Sequence, residues 1–134
     1  MECVKTKQIK QANVKDFFQE KWPKDATENT IVEYGYFIKE AESIHAFFML
    51  EPVNQDAVRL KNLYIKGNLT PLDVLAIIEM SIQAAREKPA SHLYIHSQQV
   101  TLDELVSRLG FQVVDTPVDN ESLGGQWWGL TVDK

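Results

Sequence analysis

The sequence predicts an α/β fold built on one mixed sheet, mainly antiparallel, with a parallel strand pair at its centre and flanking helices. Three observations predict it. Runs rich in β-branched and aromatic residues at 30–39, 43–51 and 57–65 are separated by short polar turns, which implies an antiparallel meander. A helix-periodic stretch, 71–87, then lies between the strand-like runs 57–65 and 91–96. A strand, a long helix and another strand force that strand pair to be parallel. The 134 residues show no repeats, linkers or low-complexity tracts, which suits one domain over residues 1–134 with a single sizeable core.

Along the chain, residues 3–9 are expected as a first strand, because Val4 and Thr6 are β-branched. Asn13 reads as an N-cap with Asp16 three residues on, opening a helix over 13–21. Val14, Phe17 and Phe18 mark its apolar face, Trp22 continues it and Pro23 stops it. The strand 30–39 follows, and Glu40-Ala41-Glu42 reads as a hairpin turn. Pro52 closes the strand 43–51, and Asn54-Gln55-Asp56 forms a polar turn. In 57–65, Val58, Leu60 and Asn62 share one face by alternation. Thr70 is the expected N-cap of the helix 71–87, with Pro71 at its first position and Asp73 in its first turn. Leu75, Ile78, Ile82 and Ala85 face the core, and Pro89 ends the segment. A last helix starts at Thr101, where Thr-Leu-Asp-Glu reads as a capping box, and Gly110 terminates it. Strands at 111–115 and 126–132 close the chain.

Composition excludes several functions. Nineteen acidic against fourteen basic side chains give a net charge of −5, which argues against nucleic-acid binding. Lys5, Lys7 and Lys10 read as a solvated face. One cysteine, Cys3, makes neither an internal disulfide nor a Cys-based zinc site. No signal-like h-region or 18-residue apolar run is present, so no membrane role and a cytoplasmic location are expected.

Two titratable residues stand out. His96 ends the strand 91–96, and imidazole is the usual proton carrier near neutrality. Glu51 ends the strand 43–51 and is placed to act as a base through water. His92 and His96 lie four apart on a strand, about 13 Å, too far to share a metal, so no metal site is expected. His45 reads as a half-buried strand residue. Trp127 and Trp128 point to opposite faces of the last strand: one enters the core, and the other covers a helix or forms a homodimer contact through the C-terminal strands.

Four segments together resemble the GNAT superfamily of acyl-CoA N-acyltransferases. They are Gly35-Tyr36-Phe37-Ile38 before a hairpin, Leu63-Tyr64-Ile65 before the long helix, the helix end Ala84–Lys88 followed by Leu93-Tyr94-Ile95-His96, and Leu105–Phe111 with its Gly-Phe ending. The resemblance spans residues 30–132. It implies that acetyl-CoA or CoA binds with its pantetheine arm along the backbone of Leu63, Tyr64 and Ile65. Its pyrophosphate would lie on amides near Asn68, Leu69, Thr70 and Leu72. It implies acyl transfer to a small-molecule or peptide amine.

The chain departs from that family's pattern. The family's loop reads Arg/Gln-x-x-Gly-x-Gly/Ala, whereas Leu69, Leu72 and Val74 stand at those places here. Pro71 lacks an N–H, and Asp73 adds a negative charge. Val106 replaces a frequent acid tyrosine, Gln99 a frequent asparagine, and Arg59 lies near a frequent basic carboxylate. Only about eight residues separate the first helix from the strand 30–39, so the family's usual second helix is expected to be missing and the acceptor pocket open or small. The alternative expectation is a non-catalytic scaffold that binds a partner or small ligand.

Overall fold

The computed structural model describes residues 2–18, 27–41, 43–66, 70–115 and 125–132. Trp22, Pro23, Glu42, Gly67, Asn68, Leu69 and most of 117–125 lie outside them. Seven strands form one sheet in the order β1-β2-β3-β4-β5-β7-β6. These are β1 (Glu2–Lys5), β2 (Gly35–Glu40), β3 (Ser43–Asn54), β4 (Ala57–Ile65), β5 (His92–Ser97), β6 (Gln112–Val114) and β7 (Gln126–Thr131). Among the described residues, four α-helices accompany them: α1 (Gln11–Phe18), α2 (Glu28–Tyr34), α3 (Pro71–Arg86) and α4 (Val100–Arg108). The mixed sheet with a β4–β5 parallel pair is the architecture the sequence predicts. Among the described residues, no helix is long and apolar enough to cross a membrane. Contacts divide the chain into two compact units, Met1–Leu50 with Asn62–Asn68, and Glu51–Lys61 with Leu69–Lys134.

In the first unit, β1 is shorter than expected, because Thr6–Gln8 turn into a 3₁₀ helix. Helix α1 begins two residues before Asn13, whose amide already bonds the Lys10 carbonyl at 2.9 Å. Its expected face holds: Val14, Phe17 and Phe18 are buried with Ile31, Phe37, Phe47 and Met49. Phe17 meets Phe37 edge-on at 5.4 Å, and Phe18 meets Phe47 edge-on at 5.0 Å. Each buried ring contributes about 2–3 kcal/mol by removing apolar surface from water.

The expected strand 30–39 is half helix. Residues 28–34 form α2, and the strand begins only at Gly35. The cause is local and tertiary together. Thr30 Oγ1 accepts from the Thr27 amide at 2.8 Å, while Thr27 Oγ1 accepts from the Thr30 amide at 3.2 Å. Ile31 is fully buried in the same turn. Reciprocal capping and burial outweigh the β-propensity of Thr-Ile-Val. At Gly35 a Cβ would strike the Ile31 carbonyl and come within 2.7 Å of Phe47, so helix and strand can abut only here. Strands β2 and β3 pair antiparallel up to Gly35↔Met49. Pro52 lies past that ladder, so β3 runs through it to Asn54 instead of stopping at residue 51.

In the second unit, Asn54 Oδ1 accepts from the Asp56 amide at 2.8 Å and makes the polar turn. The Asp56 carbonyl then accepts from Ser91 N at 2.8 Å and His92 N at 3.2 Å, setting the start of β5. Helix α3 buries Ile77, Ile78, Ile82 and Ala85. Helix α4 starts at Val100, not through a box at Thr101. Its N-cap, Gln99, makes no side-chain cap bond, and the Asp103 carboxylate is taken by Trp128. Gly110 ends α4 at φ +95°, with Phe111 N bonded to Val106 O and Gly110 N to Ser107 O, a Schellman termination.

Candidate functional site

The start of α3 satisfies itself. Asp73 N donates to Thr70 Oγ1 at 3.2 Å, and Thr70 N donates to the Asp73 carboxylate at 3.0 Å. Pro71 supplies no donor, so two of the groups able to greet an anion are engaged or missing. Leu72 is 76% exposed on the outside of this turn.

The parallel β4–β5 register runs from Ala57↔His92 to Leu60↔Ile95. Both strands continue, β4 through Lys61 and β5 through His96 and Ser97, yet the register does not. Asn62, the next residue of β4, adopts φ +54°, which interrupts the alternation expected from Val58 and Leu60. A left-handed residue inside a strand turns its neighbours out of the regular pleat. Asparagine tolerates that conformation better than β-branched types do. Its amide also donates to Met49 Sδ at 3.5 Å.

His96 is half-buried on β5, with its ring 5.0 Å from that of Trp127, its partner across the β5–β7 ladder. Tyr94 and His92 share its face and stack at 6.3 Å, with His92 Nε2 3.6 Å from Asp56. Gly129, opposite Tyr94, lets that ring lie across β7: a Cβ there would sit 3.1 Å from Tyr94 Cε1.

Glu51 is held by two cations. Arg59 Nη2 donates to its Oε1 at 3.0 Å and Lys61 Nζ to its Oε2 at 3.3 Å. All three side chains are at least two-thirds buried. Sequence reasoning did not find Lys61. Its signal was the period-2 pair Arg59-x-Lys61 on a strand one turn away from an acid. The remaining expected site residues fall elsewhere. Leu63, Tyr64 and Ile65 end β4 in the first unit, where Tyr64 meets Phe18 edge-on at 6.1 Å. Asn68 and Leu69 are outside the described residues. Val106 is fully buried, and Gln99 is exposed at the α4 cap. Of the two tryptophans, Trp127 is buried, and Trp128 covers α4 by donating Nε1 to Asp103 at 2.8 Å.

No family model and no curated protein matches the chain. Solved structures do. An N-acetyltransferase of Campylobacter jejuni, PseH, in complex with acetyl coenzyme A superposes with a TM-score of 0.66 at 14% identity, over 97% of each chain. A GNAT family acetyltransferase from Elizabethkingia anophelis with acetyl-CoA bound matches with a TM-score of 0.57 at 17% identity, over 80% of this chain and 84% of that one. This chain has the GNAT fold.

Rv2747 from Mycobacterium tuberculosis, solved with CoA, shares the GNAT fold with it at a TM-score of 0.62 and 14% identity, over 89% of this chain and 90% of that one. The second helix expected to be missing from this GNAT fold is present as α2. The expectation of a minimal acceptor side therefore loses its basis.

Proposed function

We propose that the chain is an acyl-CoA-dependent N-acyltransferase. The observation that carries this reading is the end of the β4–β5 register at Leu60↔Ile95 while both strands continue. Resemblance to the family implies that the amide-bearing pantetheine arm of an acyl-CoA substrate pairs strand-like with the backbone of Leu63, Tyr64 and Ile65 on β4. His96, half-buried just past the last paired residue, is the proton carrier of this reading. The amine lone pair forms the C–N bond to the thioester carbon. The C–S bond breaks with its electrons on sulfur. The amine's proton passes through His96 to the departing thiolate, leaving an amide and CoA. GNAT-fold neighbours solved with acetyl-CoA or CoA support the choice of donor.

A second reading rests on the α3 start. The reciprocal Thr70–Asp73 bonds satisfy the helix terminus from within and place a carboxylate there, which favours a non-catalytic scaffold that binds a partner or another ligand. Titration with acetyl-CoA and CoA, by calorimetry and thermal shift, separates the two. Micromolar binding supports the transferase; no stabilisation at millimolar ligand removes it. Asp73→Asn sharpens the result. It is expected to tighten CoA binding by up to about tenfold, the size of a dipole-end charge interaction. Unchanged affinity would show that Asp73 does not oppose the pyrophosphate.

A further inference from the structure

We infer that the acyl donor is read through its pantetheine thioester and not through a nucleotide, so that a pantetheine or phosphopantetheine thioester serves as well as acyl-CoA. The inference rests on the acyltransferase reading and names the donor class for it. Strands β4 and β5 run parallel, and α3 follows β4 as α4 follows β5, so both helices start at the same end of the sheet. Beyond the carboxyl ends of parallel strands, helix starts are the usual seat of a ligand's phosphates.

Both starts are set against a polyanion. Helix α3 carries Asp73 in its first turn, and α4 carries Asp103, with exposed Glu104 beside it. The Thr70 and Asp73 amides are engaged with each other's side chains, and Pro71 has none. Leu72 on α3 and Val100 on α4 are 76% and 74% exposed, apolar side chains where a phosphate needs donors. The cations lie elsewhere. No Lys or Arg occurs between Lys66 and Arg86, or between Lys88 and Arg108. Arg86 and Arg108 are the last residues of α3 and α4, roughly 22 Å and 12 Å along the helix axes from the first. Lys66 holds its ammonium 5.2 Å over the Phe17 ring, and Arg59 and Lys61 are on Glu51. CoA brings about four negative charges in its pyrophosphate and ribose phosphate. With a carboxylate and no cation in either first turn, those charges gain nothing that offsets their desolvation. The pantetheine arm is uncharged, and acyl transfer needs only that arm. The C–N bond forms, the C–S bond breaks, and pantetheine leaves as its thiol with the amine's proton.

The test needs no acceptor. The purified full chain is titrated by calorimetry with CoA, phosphopantetheine and pantetheine at low and high salt. Pantetheine is expected to bind as tightly as CoA, within about threefold, because the nucleotide supplies no net free energy. Raising the salt from about 0.05 M to about 0.5 M is expected to tighten CoA and leave pantetheine unchanged, because salt screens repulsion between like charges. Asp73→Asn is expected to tighten CoA by up to about tenfold and also leave pantetheine unchanged. CoA binding that exceeds pantetheine binding by more than about threefold, or that weakens with salt, overturns the inference and leaves the transferase reading standing. Binding of neither CoA nor pantetheine at millimolar concentration removes both. Should Asp73→Asn fail to fold, the ligand and salt comparison on the unmodified chain decides alone. A carrier protein bearing the phosphopantetheine arm then separates the sources of the donor. Binding tighter than that of phosphopantetheine points to a protein-borne thioester, and equal or weaker binding to a small one; both agree with the inference.

Discussion

Thr6 and Gly35 show how closely single positions are set. Thr6 is 2% exposed, and its hydroxyl is buried with no hydrogen-bond partner among the described residues. A buried unpaired hydroxyl costs stability that an isosteric apolar group recovers. Thr6→Val is therefore expected to stabilise the protein by about 1 kcal/mol, read as a higher urea midpoint with an unchanged slope. Gly35 presents the opposite case. A methyl group there meets the Ile31 carbonyl, Thr6 Oγ1 at 2.6 Å and a Phe47 ring carbon at 2.7 Å. Two of those three neighbours are backbone or a fully buried ring, so neither yields cheaply. Gly35→Ala is expected to cost about 2–3 kcal/mol in the same assay, an overpacking penalty. A loss below half a kilocalorie would show that α2 can shift away from β2.

At the scale of elements, β4 and α3 carry the most weight. Asn62→Gly keeps the left-handed conformation and is expected to be near neutral, whereas Asn62→Val forces a β-branched residue into φ +54° and costs roughly 1–2 kcal/mol. Measuring acetyl-CoA binding on both variants tests whether the irregularity matters for a ligand as well as for stability. Thr70→Ala removes the acceptor for the Asp73 amide and is expected to cost about 1 kcal/mol of thermal or urea stability. These elements were also the legible ones. The span of β4 matches its bounds residue for residue, and α3 starts where Thr70, Pro71 and Asp73 place it, because turn chemistry and capping act locally. Helix α2 was not legible: Thr-Ile-Val reads as strand, and its cap uses two threonines in place of the usual threonine and glutamate. Nor could the sequence reveal the grip of Arg59 and Lys61 on Glu51. That contact depends on how two strands align, which residue types alone leave open.

For the whole molecule, ligand binding and stability are one measurement. A ligand that occupies only the folded state, at a hundred times its Kd, adds about 2.7 kcal/mol to the unfolding free energy. For a chain of this length, such a gain raises the thermal midpoint by roughly 10 °C, well above assay scatter. Acetyl-CoA is expected to produce that shift, and Asp73→Asn to reach it at lower concentration. A flat thermal profile for both proteins would favour the scaffold reading. The GNAT fold alone does not decide between them, because a fold hosts many functions and the site decides among them.

Trp127 and Trp128 lie one residue apart, yet one is buried against His96 and the other is tied to Asp103 on α4. The pair is a built-in optical reporter on both faces of β7. Trp128→Phe silences the α4 side and Trp22→Phe removes the third tryptophan of the chain, which leaves Trp127 to report events beside His96, so two substitutions turn intrinsic fluorescence into a label-free readout of what reaches that face.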